Sequence, residues 1–225
     1  MKFNNIHTHQ ACNKKENCLQ NIIIDEKIPE IQPKTFYSAG IHPWYLENLD
    51  KKKEILEKTL KNPYCVAVGE CGLDFHPKNL AKYNKQIQLD AFEFQIKMAE
   101  KFKLPLIIHC VKCFDKLIQI KKNHKNSDIP WIIHGFAKNK EITKTLIQNG
   151  FYISFGPDLI KNPKNQEALQ VVPMDKLFFE TDDKNINIQE IYVEASVLLE
   201  IPVSILKRKI AENFTMTFKT YNLEF

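Results

Sequence analysis

The chain has 225 residues, of which 44% are hydrophobic and 26% charged, a balance that supports a full apolar core and excludes a disordered main state. Six glycines are too few for a collagen-like chain or a Gly-rich phosphate loop. The net charge of +5 invites a nucleic-acid reading, but Arg208 is the one arginine among 32 basic residues, and the wealth of Lys, Ile and Asn fits AT-rich codons; the charge speaks mainly for solubility.

Taken in chain order, short apolar runs alternate with helical patterns. Strands are predicted at Phe3–His7, Leu19–Ile24 and Thr35–Ile41. The gaps between them, Thr8–Cys18 and Asp25–Lys34, are too short for full crossover helices, and the second carries Pro29 and Pro33. A helix over Leu49–Leu60 stops at Asn62-Pro63 and leads to a strand at Cys65–Glu70. A long amphipathic helix over Leu80–Phe102 precedes a strand at Leu106–His109. Then come a helix at Phe114–Lys122, a strand at Trp131–His134, a helix at Asn139–Gln148 and a strand at Phe151–Ser154. A helix at Pro157–Leu169, a strand at Leu177–Thr181 and helices at Ile188–Leu199 and Val203–Phe218 complete the series. Eight strand–helix steps predict an α/β fold, a TIM (β/α)8 barrel over residues 1–225 as a single domain, shortened because its first two crossover helices are replaced by loops. A doubly wound open sheet is the alternative architecture.

No targeting signal and no membrane-length apolar run stands out, so a cytoplasmic protein with reduced thiols is expected. The six cysteines lack the paired spacing of a four-cysteine zinc site, and the lone Cys110-Val-Lys-Cys113 reads as two ordinary thiols.

The polar residues carry the chemistry. His7, His42, His109 and His134 fall at strand ends, His9 lies two residues after His7, Glu70 ends the fourth strand and Asp182 follows the eighth. In a barrel all strand C-termini open on one face, where active sites lie. Neutral imidazoles with carboxylates form a transition-metal ligand set. One catalytic zinc takes about three protein ligands, so six candidates, His7, His9, Glu70, His109, His134 and Asp182, predict two divalent ions sharing Glu70, suited to clamping both oxygens of a phosphoester displacement. No G-x-S-x-G is present, which disfavours a serine nucleophile.

The blocks His7-Thr-His9, Gly40-Ile-His-Pro-Trp44, Val68-Gly-Glu-Cys-Gly-Leu-Asp74, Leu106-Ile-Ile-His-Cys110, Ile133-His-Gly-Phe136, Glu180-Thr-Asp182 and Glu212-Asn-Phe214 together resemble the TatD-type metal-dependent hydrolases, barrel members of the amidohydrolase superfamily. The resemblance implies that His7, His9, Glu70 and Asp182 hold one ion and Glu70, His109 and His134 the other. It implies a deoxyribonuclease or another metal-assisted phosphoesterase, with Asp182 orienting the attacking water and accepting its proton and Glu70 bridging the ions. DNA or a smaller phosphoester is the expected partner, a monomer the expected state, and Zn, Mn, Mg or Ni the expected metal. His42 and Lys112 are placed as substrate contacts, Lys112 standing where the family commonly has an arginine. The chain departs from the family pattern at Asn5, where an aspartate is usual. An ester, lactone or amide hydrolase is the alternative function, and a non-catalytic barrel a third.

Overall fold

The computed structural model describes residues 1–12, 16–27 and 35–219. Among these, eight parallel strands form one sheet in the order β1 (Phe3–Thr8), β2 (Glu16–Ile23), β3 (Tyr37–Gly40), β4 (Cys65–Asp74), β5 (Leu106–Val111), β6 (Trp131–Ile133), β7 (Phe151–Phe155) and β8 (Leu177–Phe179). The ends of the order meet. The Asp182 amide donates to the His7 carbonyl at 3.0 Å, and the His9 amide donates to the Asp182 carbonyl at 3.0 Å. This is a barrel, as the alternation of elements predicts, and the open-sheet alternative fails.

The helices are α1 (Leu49–Thr59), α2 (Pro77–Lys82), α3 (Lys85–Phe102), α4 (Phe114–Asn123), α5 (Lys140–Gln148), α6 (Pro163–Leu169), α7 (Ile188–Leu198) and α8 (Val203–Phe218). Among the described residues no helix lies between β1 and β2 or between β2 and β3; residues 13–15 and 28–34 of those links lie outside them.

Three boundaries differ from expectation. The long helix predicted from Leu80 is two helices, because Asn84 is extended and its side chain accepts the Ile87 amide, starting α3 afresh. The helix predicted from Pro157 is a 3-10 turn followed by α6, which Asn162 caps and Pro163 begins. Third, β4 runs four residues past Glu70, so Glu70 sits inside its strand and not at its end. The strand continues because its pairing with β5 shifts register between Val68 and Cys71. Gly72, at φ +132°, lets the two strands touch: a Cβ there would fall 2.2 Å from the His109 carbonyl oxygen.

The chain divides into two compact units, Met1–Gln20 with Ile132–Phe225, and Asn21–Trp131. In the first, Phe3, Phe179 and Tyr192 pack ring to ring beneath α7, and the buried Tyr192 hydroxyl donates to the Asn4 carbonyl at 2.9 Å. In the second, the buried stripe Gln88, Ala91, Phe92, Gln95, Ile96 and Ala99 presses α3 onto the strands. Two members of that stripe are glutamines, and both act on backbone. Gln95 accepts the Ile41 amide at 2.7 Å and donates to the Ile41 carbonyl at 3.0 Å. Gln88 does the same for Asp74, at 2.8 and 3.0 Å. The residues that follow β3 and end β4 are thus held by side chains of α3.

The thiols differ in one respect from the expectation of six reduced cysteines. Cys12 and Cys18, brought to a Cα separation of 5.8 Å on either side of the β1–β2 link, are joined as a disulfide. Cys65, Cys71, Cys110 and Cys113 are thiols.

Candidate metal-ligand clusters

Each unit gathers its own set of donor atoms at or near strand ends, with Glu70 inside β4 and His109 two residues before the end of β5. In the first unit these are His7, His134 and Asp182, whose ligand atoms lie within 4.8 Å of one another. His7 lies in β1 and His9 just beyond its end, with their rings 5.1 Å apart between centroids. The Nε2 atoms of both lie 3.5 Å from Asp182 Oδ1. The His7 and His134 rings approach to 4.3 Å between centroids. Asp182 adopts φ +53°, a left-handed conformation that aspartate tolerates better than most residues. The turn raises its side chain to 33% exposure, while His7 is fully buried.

Glu180 explains how His134 is aimed. Its carboxylate is fully buried, accepts the Gly135 amide at 2.6 Å and faces His134 Nδ1 at 3.3 Å. A carboxylate on one imidazole nitrogen fixes the tautomer that offers the other nitrogen to a metal. Asn5 has a clear local role. Its amide donates to Thr181 Oγ1 at 2.9 Å and its carbonyl accepts the Thr181 amide at 3.2 Å, a two-way clasp that an aspartate, with no N–H, could not make.

In the second unit the donors are His42, Glu70 and His109. Glu70 is buried, and its Oε1 faces His42 Nε2 at 2.9 Å and His109 Nδ1 at 3.0 Å. Asn21 steadies the residue from the other side, donating to Oε2 at 3.4 Å and accepting the Glu70 amide at 2.9 Å. His42 Nδ1 accepts the Trp44 amide at 3.2 Å, so its proton sits on Nε2 and points at Glu70. Both nitrogens are engaged, which suits His42 to holding the carboxylate.

His109 is gripped at both nitrogens. Its Nε2 lies 3.1 Å from Asp74 Oδ2. Burial pushes the Asp74 carboxyl up, but hydrogen bonds from His109, Trp44 and the His76 amide outweigh it and hold the carboxyl at about 2. Asp74 is therefore anionic at neutral pH and takes the Nε2 proton. With the ring neutral, the His109 Nδ1 lone pair then faces Glu70 Oε1 at 3.0 Å. Two acceptors at that separation call for a shared proton or a cation between them, so the donor set fits a metal ion.

Lys112 follows β5 directly, is exposed and sits at φ +56°. Two further histidines have structural partners: His124 lies 2.9 Å from Glu100 and 3.2 Å from Glu93, and His76 caps α2. Sequence reasoning leaves Asp74 open between a group supporting the metal ligands and a helix cap, favouring the cap, and it overlooks Glu180 as a histidine-orienting group, although both stand inside the family-like blocks.

A barrel with imidazole and carboxylate donors at its strand ends, two of the imidazoles backed by carboxylates, defines a metal-dependent hydrolase of the TIM-barrel type. A family model described as TatD related DNase matches residues 6–219, and the chain belongs to that family. It is 32% identical over 199 residues to an "uncharacterized metal-dependent hydrolase" of Buchnera aphidicola, covering 81% of this chain and 73% of the relative. It is 28% identical to the 3'-5' ssDNA/RNA exonuclease TatD of Erwinia amylovora over 64% of this chain and 56% of that protein. Among solved structures, YJJV, a TatD homolog from Escherichia coli K12, superposes with a TM-score of 0.80 at 21% identity, covering 96% and 98% of the two chains. A TatD family hydrolase from Entamoeba histolytica gives 0.78 at 17% identity over the same shares. Among the described residues no helix is long and apolar enough to cross a membrane.

Proposed function

We propose that the protein hydrolyses phosphodiester bonds of DNA or a smaller phosphoester at a site for two divalent ions. His7, His9, Glu70 and Asp182 would hold one, and Glu70, His109 and His134 the other. Zn, Mn, Mg or Ni suits such a mixed set of imidazoles and carboxylates. The observation that carries the reading is the pair of oriented imidazoles: Glu180 behind His134 and Asp74 behind His109. Buried carboxylates set against histidine nitrogens fit ligation better than packing. When bound, such ions lower the pKa of water and neutralise charge on the phosphoryl oxygens.

The protein's own groups do the rest. His42 holds the Glu70 carboxylate in place through its Nε2, 2.9 Å from Oε1. Asp182, part-exposed and next to His7 and His9, is placed to accept the proton of the attacking water. The same reading has the protein acting as a cytoplasmic monomer.

The test is cleavage of a short single-stranded DNA and of a generic phosphodiester, with and without Mn²⁺ or Mg²⁺. Metal-dependent cleavage is expected, and Asp182→Asn should lower turnover by about 10²–10⁴-fold, the scale of one acid–base group. A metal-loaded protein that cuts neither substrate but opens an ester or lactone would replace this reading with hydrolysis of a non-phosphate bond. Full activity in Asp182→Asn would refute the role given to that carboxylate.

A further inference from the structure

Trp44 and Tyr45 are 42% and 39% exposed, and among the described residues they are the aromatics that stand out on the surface. Exposed aromatics are ordinarily loose. This pair is fixed by its surroundings, all within the second unit. The Trp44 indole N–H donates to Asp74 Oδ2 at 2.7 Å, and its amide donates to His42 Nδ1 at 3.2 Å. The Tyr45 amide donates to the His42 carbonyl at 3.0 Å. Two lysines hold the turn's carbonyls: the buried Lys52 donates to Tyr45 O at 3.0 Å and the exposed Lys82 to Trp44 O at 3.1 Å. The indole meets His42 and His109 nearly edge to face, with centroids 4.8 and 5.7 Å away.

A rigid, part-exposed indole beside a histidine of the reaction site leaves part of its apolar face open to a ligand. Its fixed position also removes the ordering cost a loose side chain would add to binding. We propose that Trp44, flanked by Tyr45, is a stacking platform for one unpaired nucleobase of a single-stranded nucleic acid, next to the phosphodiester to be cut. This rests on the phosphodiester reading and adds the residue that would hold the base. Every base has a π-face, so the platform binds without regard to sequence. Bases inside a duplex are already stacked on both faces, so it favours single strands and frayed ends. The Lys82 ammonium, 5.7 Å from the Tyr45 ring centroid, supplies positive charge for the backbone alongside.

The experiment compares a single-stranded oligothymidylate with an abasic oligomer of equal length and charge, on wild-type protein, Trp44→Ala and Trp44→Phe. Binding by all three proteins is read from the anisotropy of a dye-labelled oligomer in chelator, and cleavage is read with Mn²⁺. In wild type, quenching by ligand also reports on Trp44, because Trp131, the other tryptophan, is fully buried. Wild type should bind the base-bearing oligomer roughly 5- to 150-fold more tightly than the abasic one, the range of a single base–aromatic stack. Trp44→Ala should erase that ratio and raise KM for the base-bearing oligomer alone. Trp44→Phe, which keeps a ring but loses the bond to Asp74, should retain most of the ratio. Equal affinity of wild type for the two oligomers overturns the proposal, as does an unchanged ratio in Trp44→Ala. Base-dependent quenching without cleavage would uphold the platform and sink the hydrolysis reading. Cleavage with no base preference would do the reverse.

Discussion

Asp74→Asn separates the task of aiming His109 from that of merely filling space. Asp74 Oδ2 accepts from Trp44 Nε1 and Asn79 Nδ2 at 2.7 Å each and faces His109 Nε2 at 3.1 Å, while Oδ1 accepts the His76 amide at 2.8 Å. An amide of the same shape has a single oxygen. If that oxygen takes the Oδ2 place, an NH₂ group meets the His76 N–H; one bond is lost and three change from charge-assisted to neutral. At roughly 1 kcal/mol per change, discounted for partners that can turn to water, the variant loses on the order of 2–4 kcal/mol of stability. The depressed carboxyl gives an independent figure. Its fall from 3.8 to about 2 corresponds to about 2–3 kcal/mol of stabilisation. The sign follows from the direction: this share is complete above about pH 4 and is lost as pH falls through 2, so wild type should lose more stability than Asp74→Asn over that window. For metal binding, loss of the carboxylate behind a ligating histidine costs about 10–100-fold in affinity. Urea denaturation of chelated protein measures the first effect, and Zn²⁺ or Mn²⁺ titration against a competing chelator measures the second. A variant that is less stable but binds metal within twofold of wild type would refute the claim that Asp74 orients a ligand.

Gly72→Ala should destabilise by about 3 kcal/mol or more in urea, because a Cβ would fall 2.2 Å from the His109 carbonyl at a φ of +132°. Burial raises the Cys65 thiol to about 12, so in the folded state it stays protonated where the unfolded thiol ionises; stability should fall as pH rises from about 9 to 12, and less so in Cys65→Ala. Of the four thiols, the half-buried Cys110 should react first with a thiol reagent at pH 8, ahead of Cys65 and Cys71, as read by mass spectrometry after brief labelling.

The strands were legible because each is a short apolar run such as Leu106-Ile-Ile or Trp131-Ile-Ile, and the rhythm between them identifies a barrel. Histidines at or near their ends then stand out. Boundaries were less legible where the signal was a single asparagine. Asn84 and Asn162 each start a helix through a side-chain bond that a hydrophobic pattern does not register. The extension of β4 beyond Glu70 depends on glycine geometry at Gly72 and on a shift in pairing, neither of which has a periodicity. Within the candidate clusters, motif spacing exposes His7, His9, Glu70, His109, His134 and Asp182. The partners of those groups stay hidden, because a buried carboxylate such as Glu180 reads in a linear sequence like any strand-end acid. Lys112 is placed by sequence opposite a phosphate, and here it is an exposed residue in a left-handed turn.

Gln88 and Gln95 couple the stability of a helix to the slow motions of the reacting face. The amides of Asp74 and Ile41 have α3 side chains as acceptors, so their hydrogens can exchange with solvent only when that helix lifts from the strands. Ile41 immediately precedes His42, and Asp74 carries the carboxylate behind His109. Their amide protection factors would therefore rise and fall together, at the opening free energy of α3 and not at that of the surface turns around them. A substitution on the buried side of α3, such as Phe92→Ala, would be felt as added wobble in both histidines even though it touches neither.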